Sequence, residues 1–312
     1  MGAERNFLPC LLAQHVESPL KSTPPQSLST LLKKYNLRPR KGLGQNFLVD
    51  PHHLAKIVAA AELTGAETVL EIGPGPGALT RLLAESAGRV IAVELDPQLV
   101  NLLSHELADL PNLTIVQADI LQLQLVTLLT TQPPLQRTNE PTNQLPSPTF
   151  KVVANLPYYI TSAVLRHLLE ATPRPERIVV TVQKEVAQRI VAQPGQMSLL
   201  AVSVQFYGQP TLVHRIPAGA FYPPPKVDSA VVRIDTWPEP AIPVKEADHF
   251  FRVVKAGFGQ KRKQLKNSLA AGLHKPVEEI VSALAQAQLA PTRRAETLSL
   301  AEWGRLAKAI QR

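Results

Sequence analysis

Apolar positions along the chain fall into two alternating patterns, short continuous runs and longer stretches with helical spacing. The short runs predict strands at residues 67–72, 89–94, 113–117, 150–154, 177–183, 211–216 and 229–234. The helical spacing predicts a helix that begins at Asp50-Pro51 and helices over residues 78–87, 161–171 and 184–191. Residues 198–207 fit either pattern. The alternation of strands and helices indicates an α/β fold.

Three stretches show neither pattern and suggest how the chain divides. Residues 1–30 predict a largely disordered extension. Residues 122–149, with five prolines between 133 and 148, predict a surface loop with room for a short helix at 121–129. Residues 236–243 hold three prolines and predict a linker, after which the pattern is helical. We therefore expect a first domain over residues 31–237 and a helical domain over residues 238–312.

Charge and composition narrow the classes of partner. The 312 residues include 33 Lys and Arg against 25 Asp and Glu, a net charge of +8. This charge favours a polyanion, nucleic acid first, although a generally basic soluble enzyme is the alternative. No apolar run approaches the roughly 18 residues of a membrane span. The single cysteine, Cys10, excludes an internal disulfide and fits a cytoplasmic setting. The eight histidines lack zinc-like spacing, so no metal site is predicted.

A glycine turn and two acids stand at three successive strand ends. Gly73-Pro74-Gly75-Pro76-Gly77 follows the first strand, and its G-x-G-x-G spacing differs from the G-x-G-x-x-G of dinucleotide enzymes. Glu94 ends the second strand, where a carboxylate can accept both hydroxyls of a ribose. Asp119 lies at the tip of the third strand. Each acid alone could be a solvated loop or helix-cap residue, but together the three features predict a nucleotide-like cofactor.

The stretch Asn155-Leu156-Pro157-Tyr158 follows a strand, at the edge where open α/β sheets bind ligands. The Asn155 oxygen can accept a hydrogen bond from an exocyclic amine. Pro157 biases Leu156 towards an extended backbone, which could turn its carbonyl outward as a second acceptor. Tyr158 offers a face on which a base can stack. Two acceptors and one platform suit the N6 amine of adenine, and a plain strand-to-turn exit is the alternative.

Three further segments carry candidate chemistry. Residues 31–41 hold five Lys or Arg and no acid, and with residues 42–48 they are either a lid or a basic linker. Three prolines stiffen residues 221–229, which hold Phe221 either at a site or in the core. Residues 249–276 hold seven Lys or Arg and no acid, which favours phosphate contact over a solvated face. The basic patch within them comprises Lys261, Arg262, Lys263 and Lys266.

Together these motifs resemble the KsgA (RsmA) family of small-subunit ribosomal RNA adenine dimethyltransferases, from about Arg40 to the C-terminus. The carriers are residues 44–48, 71–77, 93–96, 155–160, 183–186, 221–229, 262–263, 267–269 and 294–296. The N-terminal extension and residues 122–149 look longer than the family's usual pattern. The resemblance implies a Rossmann-like class I methyltransferase sheet followed by a small all-helical domain that binds RNA.

The resemblance also implies roles for individual residues. The cofactor would be S-adenosylmethionine, contacted by Asn46, Leu48, Gly73, Gly75, Glu94, Asp119 and Asn155. The catalytic set would be Asn155, Leu156, Pro157, Tyr158 and Phe221, with Phe221 stacking on the target adenine opposite Tyr158.

The implied reaction is N6,N6-dimethylation of two adjacent adenosines in the 3′-terminal hairpin of 16S RNA, by a cytoplasmic monomer that acts on the assembling 30S subunit. One alternative is an erythromycin-resistance-type methyltransferase of large-subunit RNA. The small-subunit family is favoured over it by the segment Pro223-Pro224-Pro225-Lys226-Val227-Asp228-Ser229. A second is a non-catalytic ribosome-assembly factor, and a third is a nicotinamide dehydrogenase. The intact glycine turn, Glu94 and the Asn155 motif disfavour the non-catalytic factor. The glycine spacing and the Asn155 motif disfavour the dehydrogenase.

Overall fold

Nine strands and twelve α-helices occur in the computed structural model, which describes residues 27–130, 149–243 and 247–310. The strands are β1 (Phe47–Leu48), β2 (Thr68–Ile72), β3 (Arg89–Glu94), β4 (Leu113–Gln117), β5 (Phe150–Asn155), β6 (Arg177–Gln183), β7 (Gly208–Ile216), β8 (Phe221–Tyr222) and β9 (Ser229–Thr236). The helices are α1 (Leu28–Lys34), α2 (Pro51–Ala61), α3 (Ala78–Ser86), α4 (Pro97–Glu106), α5 (Leu125–Thr130), α6 (Thr161–Leu169), α7 (Lys184–Ile190), α8 (Leu199–Tyr207), α9 (Ala247–Phe258), α10 (Leu265–Leu273), α11 (Val277–Gln286) and α12 (Leu300–Ala309).

Seven of the strands form one sheet in the order β4-β3-β2-β5-β6-β9-β7. The five strands from β4 to β6 are parallel, and β9 runs antiparallel to both β6 and β7. The strand order reverses between β2 and β5, which creates a topological switch point where ligands bind beyond the carboxyl ends of the strands. A separate antiparallel pair joins β1 to β8, with Leu48 opposite Phe221. The α/β class and the Rossmann-like sheet are confirmed.

Both faces of the central strands are covered, because alternate residues point to opposite sides. In β5, Val152 belongs to one buried apolar cluster and Val153 to the other, and both are fully buried. One cluster lies under α2 and α3, where Ile57 and Leu83 are also fully buried. The other extends from the opposite face of the sheet into the C-terminal helices.

The C-terminal helices share the core of the sheet. Phe206 of α8 stacks on Phe250 of α9 with ring centroids 4.8 Å apart. Trp303 of α12 is fully buried in the same cluster. The small helical region after residue 238 is present, whereas the boundary between residues 237 and 238 stays a prediction.

Two units divide the chain, Met1–Leu37 and Arg38–Arg312. In the first, the described residues contain α1, whose N-cap Ser27 accepts a hydrogen bond from the Thr30 N–H. Most of the predicted extension, residues 1–26 with Cys10, lies outside the described residues, as do residues 131–148 of the predicted loop. In the parts that the structure describes, none of the helices combines the length and the apolar character that a membrane crossing requires.

Most predicted elements are confirmed, and the differences have local causes. Residues 199–207 form α8 rather than a strand; Ser198 caps the helix by accepting from the Ala201 N–H. The chain then turns directly into β7 at Gly208, where a Cβ would lie 2.7 Å from the Asp235 carbonyl oxygen. Helix α4 was not predicted, although Asp96-Pro97 opens it in the same way that Asp50-Pro51 opens α2.

Candidate active site

A cavity opens at the switch point, and the space between its lining residues, open mouth included, is about 790 Å³. Its lining comes from the glycine turn after β2, the ends of β3 and β5, the residues after β4, and residues 43–47. The sequence-predicted residues on this lining are Asn46, Gly73, Gly75, Glu94, Asp119, Asn155, Leu156, Pro157 and Tyr158. The lining combines apolar side chains with a few convergent polar groups, as is usual for sites that bind small molecules.

The glycine turn brings backbone to the cavity wall. Gly75 has a φ of +57°, which disfavours any side chain there. A Cβ on Gly75 would also lie 2.9 Å from the Phe47 Cδ1 atom. The Gly73 N–H donates to the Val93 carbonyl at 2.9 Å, which joins the turn to the end of β3. The turn therefore has a fixed shape, and its backbone rather than a side chain forms this part of the cavity wall.

The Glu94 carboxylate is held in place by backbone donors. Its Oε1 accepts from the Asp96 N–H at 2.9 Å, and its Oε2 accepts from the Gly75 N–H at 3.2 Å. Burial raises the pKa of Glu94, and the two N–H groups act in the opposite direction. Each oxygen retains a lone pair that can accept from a ligand. Glu94 is thus a fixed acceptor at the cavity wall.

Asp119 follows the carboxyl end of β4, as Glu94 stands at the carboxyl end of β3. Its Oδ1 accepts from the Leu121 N–H at 3.0 Å, and this bond caps a short 3₁₀ turn at Ile120–Gln122. The alternative of a helix-cap residue is therefore correct for Asp119, and it coexists with a position on the cavity lining.

Asn155 is oriented from the opposite wall. Its Nδ2 donates to the Asn46 carbonyl at 3.1 Å, so its Oδ1 is the atom left to accept from a ligand. The Asn46 Nδ2 in turn donates to the Gly44 carbonyl at 3.0 Å. Asn46 therefore links residues 44–46 to the end of β5.

The turn after Asn155 is anchored at two points. The Leu156 side chain is buried, and its N–H donates to the Thr181 carbonyl of β6 at 3.3 Å. The Tyr158 hydroxyl lies 2.6 Å from the Ser229 Oγ at the start of β9. Burial raises the pKa of Tyr158, so its ring remains neutral at physiological pH. An outward Leu156 carbonyl stays a prediction.

An ionic clamp, which sequence reasoning missed, holds residues 40–45 against the sheet. The nearly buried Asp96 pairs with Arg40 at 3.3 Å and accepts from the Gln45 Nε2 at 3.0 Å. Arg40 also donates to the Gln98 Oε1 at 2.6 Å. Residues 40–48, called the lid below, are therefore fixed beside the cavity, whereas the choice between a lid function and a basic linker stays a prediction.

Two predicted site residues lie in the core. Leu48 is 5% exposed and lines a smaller neighbouring cavity with Gly73 and Gly75. Phe221 is 3% exposed, belongs to the apolar cluster under α2, and is not among the described residues that line the main cavity. Of the two alternatives for Phe221, a site or the core, the structure has Phe221 in the core. The pairing of Phe221 with Leu48 turns the Phe221 side chain inward. A stacking role stays a prediction.

Glu71 is a buried acid that sequence reasoning did not assign. Its side chain in β2 is 1% exposed, and its Oε2 has no hydrogen-bond partner among the described residues. It lines the smaller cavity beneath Gly73 and Gly75. Burial, with a contribution from the Glu94 charge, raises the pKa of Glu71 to about 8. The carboxyl is therefore largely neutral at pH 7.

The basic patch lies far along the chain and is not one helical face. Lys261, Arg262 and Lys263 occupy the turn between α9 and α10, and only Lys266 is in a helix. The helical pattern expected after residue 243 is interrupted at residues 259–264, so the patch spans a turn and the start of α10. The three turn residues are exposed, and no acid among the described residues forms an ion pair with the patch.

Comparisons with known proteins agree with this geometry. Residues 36–312 match the family model of the ribosomal RNA adenine dimethylases. A relative from Dehalococcoides mccartyi, named ribosomal RNA small subunit methyltransferase A, is 48% identical over 92% of this chain and 95% of its own length. A relative with the same name from Streptococcus pneumoniae is 42% identical over 90% of this chain and 95% of its own.

Two solved structures share the fold over most of their length. The 23S rRNA methyltransferase ErmE has a TM-score of 0.63 and 31% identity, over 85% of this chain and 99% of its own. A dimethyladenosine transferase from Plasmodium falciparum has a TM-score of 0.66 and 24% identity, over 83% and 95%.

Proposed function

Because the chain belongs to the ribosomal RNA adenine dimethylase family, we propose that it methylates two adjacent adenosines in the 3′-terminal hairpin of 16S RNA to N6,N6-dimethyladenosine. It is an S-adenosylmethionine-dependent enzyme. The observation that carries the choice of site is one cavity at the switch point. The cavity joins two acids and a glycine turn, suited to a nucleoside-like donor, to Asn155, suited to an adenine amine.

The residues present fit the methyl donor. Glycine at position 75 keeps the turn free of a side chain at the cavity wall, and the Glu94 carboxylate beside it is a fixed acceptor. The unpartnered Oε2 of Glu71 lies beneath the same turn, where a donor or a cationic group would satisfy it. S-adenosylmethionine, when bound, supplies a methyl group already activated on a sulfonium centre.

Each cofactor residue then has a task that its geometry permits. Glu94 would accept the ribose hydroxyls, and Asp119 would accept the cofactor's adenine amine. Gly73, Gly75 and Asn46 would shape the pocket around its methionine part. Leu48, being buried, would support the pocket wall from the neighbouring cavity.

The target residues act on the nitrogen that receives the methyl group. The lone pair of an adenine amine is delocalised into the ring, so the nitrogen is a poor nucleophile. The Asn155 Oδ1 and the Leu156 carbonyl would accept its two hydrogens and favour a more tetrahedral nitrogen. The turn at Pro157 would align these acceptors, and alignment is the main task when the methyl is already activated. No strong general base is needed.

Stacking would offset the free energy of unstacking the target base, a few kcal/mol. The Tyr158 ring, held through Ser229, is available on the cavity lining. Phe221 could supply the second face only if it left the core and β8 separated from β1. We therefore propose this second stack as a feature of the RNA-bound state.

The remaining assignments concern partners. The basic patch would contact phosphates of the RNA, which makes residues 238–312 the RNA-binding part and residues 31–237 the methyltransferase domain. We propose that the enzyme works in the cytoplasm on the assembling 30S subunit, because its substrate RNA is assembled there. We also propose that it works as a monomer.

The function is tested with purified protein, S-adenosylmethionine and small subunits from cells that lack this modification. Mass spectrometry of digested RNA should show two dimethyladenosines in the 3′-terminal hairpin of 16S RNA. Asn155→Ala should keep the circular-dichroism spectrum and the unfolding midpoint of wild type yet fail to methylate, which separates catalysis from folding. Absence of product with wild-type protein would refute the proposal.

The nearest alternative is methylation of large-subunit RNA, which the likeness to ErmE supports. A parallel reaction with 23S RNA separates the two, since only one RNA should gain dimethyladenosine. A non-catalytic assembly factor would bind the small subunit and modify neither.

A further inference from the structure

Several exposed apolar side chains lie near the edge of the sheet at which the cavity opens, and two of them, Leu95 and Tyr159, line the cavity. Nine large apolar residues are notably exposed in the described part of the chain. Five of them, Val49, Leu95, Tyr159, Tyr222 and Val227, lie on segments that adjoin the carboxyl edge of the sheet. Exposed apolar surface gathered beside a site points to a binding surface.

Tyr159 is the most exposed of these residues, at 62%, and it lines the cavity itself. Its backbone is fixed, because it lies between Tyr158, anchored on Ser229, and a turn closed by the Ile160 N–H on the Pro157 carbonyl. One side of its ring is close to Gly44: a Cβ there would lie 3.3 Å from the Tyr159 Cδ1 atom. The ring is thus supported by the lid and remains open to solvent.

The chemistry of the surroundings selects the occupant. No other aromatic ring in the described residues stacks on Tyr159, and the lid beside it carries the exposed Lys41. A flat aromatic face next to a cation suits a base with its phosphate. The substrate has two adjacent adenosines, so when one enters the cavity the other loses its stacking neighbour at the cavity mouth.

We propose that Tyr159 is the stacking platform for the base next to the adenine being methylated. This inference rests on the proposed function and extends it to a second nucleotide subsite. Tyr159 would bind and position RNA without touching the reacting nitrogen. It would favour substrates with an unpaired base beside the target.

Three substitutions separate stacking from mere packing. Tyr159→Phe keeps the aromatic face, Tyr159→Leu keeps apolar contact with the lid, and Tyr159→Ala removes both. Trp237→Leu is the matched control. Trp237 is also an exposed aromatic residue, but it follows the end of β9, and that end of β9 pairs with the start of β6, away from the carboxyl edge of the sheet. The KM for hairpin RNA should rise roughly five- to hundredfold for Leu and Ala, the range for one stacked base, and stay near wild type for Phe and the control.

A direct readout uses hairpins with 2-aminopurine at one or the other of the two target positions. Stacking on Tyr159 should quench the probe in wild type and Tyr159→Phe, and the quenching should be lost in Tyr159→Leu. The Kd for S-adenosylmethionine should be the same in all variants.

Two results would overturn the inference. If Tyr159→Leu quenches and binds RNA like wild type, no base stacks there. If the cofactor Kd weakens in parallel with the KM for RNA, Tyr159 merely supports the lid. Probe fluorescence reports binding without turnover, so a wild-type protein that quenches the probe but methylates neither RNA refutes the function and leaves the subsite intact.

Discussion

Glu71→Gln should remove a pH-dependent penalty from the stability of the protein. Glu71 is buried in β2, and its pKa is raised from 4.5 to about 8 in the folded state. Below pH 4.5 the carboxyl is neutral in both states. Between pH 4.5 and 8 the unfolded chain loses the proton while the folded protein keeps it, so stability falls as pH rises. Above pH 8 this contribution levels off.

The size of the effect follows from the same two values. At about 1.4 kcal/mol for each pH unit, the interval from 4.5 to about 8 gives an upper limit of about 5 kcal/mol. Glutamine has nearly the same shape and does not titrate. The stability of the Gln variant relative to wild type should therefore grow from pH 5 to pH 8, by up to several kcal/mol. Any constant gain or loss from the new amide cancels from the pH slope.

Urea unfolding at several pH values between 5 and 8, without cofactor, measures the difference for both proteins. Glu85→Gln is the control, because Glu85 lies exposed near the end of α3, the helix that follows the same turn. A carbon-13 titration of the Glu71 carboxyl, assigned by its loss in the variant, gives the pKa directly. A difference in stability that is the same at pH 5 and pH 8 would refute the reasoning and show that water reaches this carboxyl.

Three further predictions test other parts of the site. Glu94→Gln should raise the Kd for S-adenosylmethionine roughly ten- to hundredfold, because it weakens charge-assisted hydrogen bonds of about 1.5–3 kcal/mol. Calorimetry should show the weaker cofactor binding while the Kd for RNA stays unchanged, and an unaltered cofactor Kd would contradict the prediction. Changing all four residues of the basic patch to Gln should reduce the slope of log Kd against log salt by up to about 0.9 for each lost phosphate contact; a slope as steep as wild type would mean that the patch is only a solvated face. Phe221→Ala should slow the second methyl transfer more than the first, because a monomethylated amine has lost one hydrogen bond and depends more on stacking. Monomethyladenosine should then accumulate in a time course of digested RNA, and equal slowing of both steps would argue against the role of Phe221.

Local rules predicted most of the elements and the order of the site residues. The strands and helices around Gly73, Glu94 and Asn155 are visible as short apolar runs, turn residues and caps, because these depend on neighbours a few residues away. Parallel strands bring their carboxyl ends to one edge, so three motifs at strand ends also predicted one shared cavity.

Tertiary packing decided which side chains meet and which are covered. Asp96 clamps Arg40 and Gln45 across more than 50 positions of sequence, a contact that no local pattern encodes. Phe221 is covered because β8 pairs with β1, where its partner Leu48 lies 173 positions earlier in the chain.

The histidines show the same limit. Their spacing along the chain predicts no cluster, yet the Nδ1 of His53 on α2 lies 2.8 Å from the Nε2 of His214 on β7. Sequence by itself therefore determined the elements, the family and the residue types at the strand ends, because these depend on short-range geometry. The exposure of each side chain and its partner depend on how distant segments pack, and only the folded structure decided them.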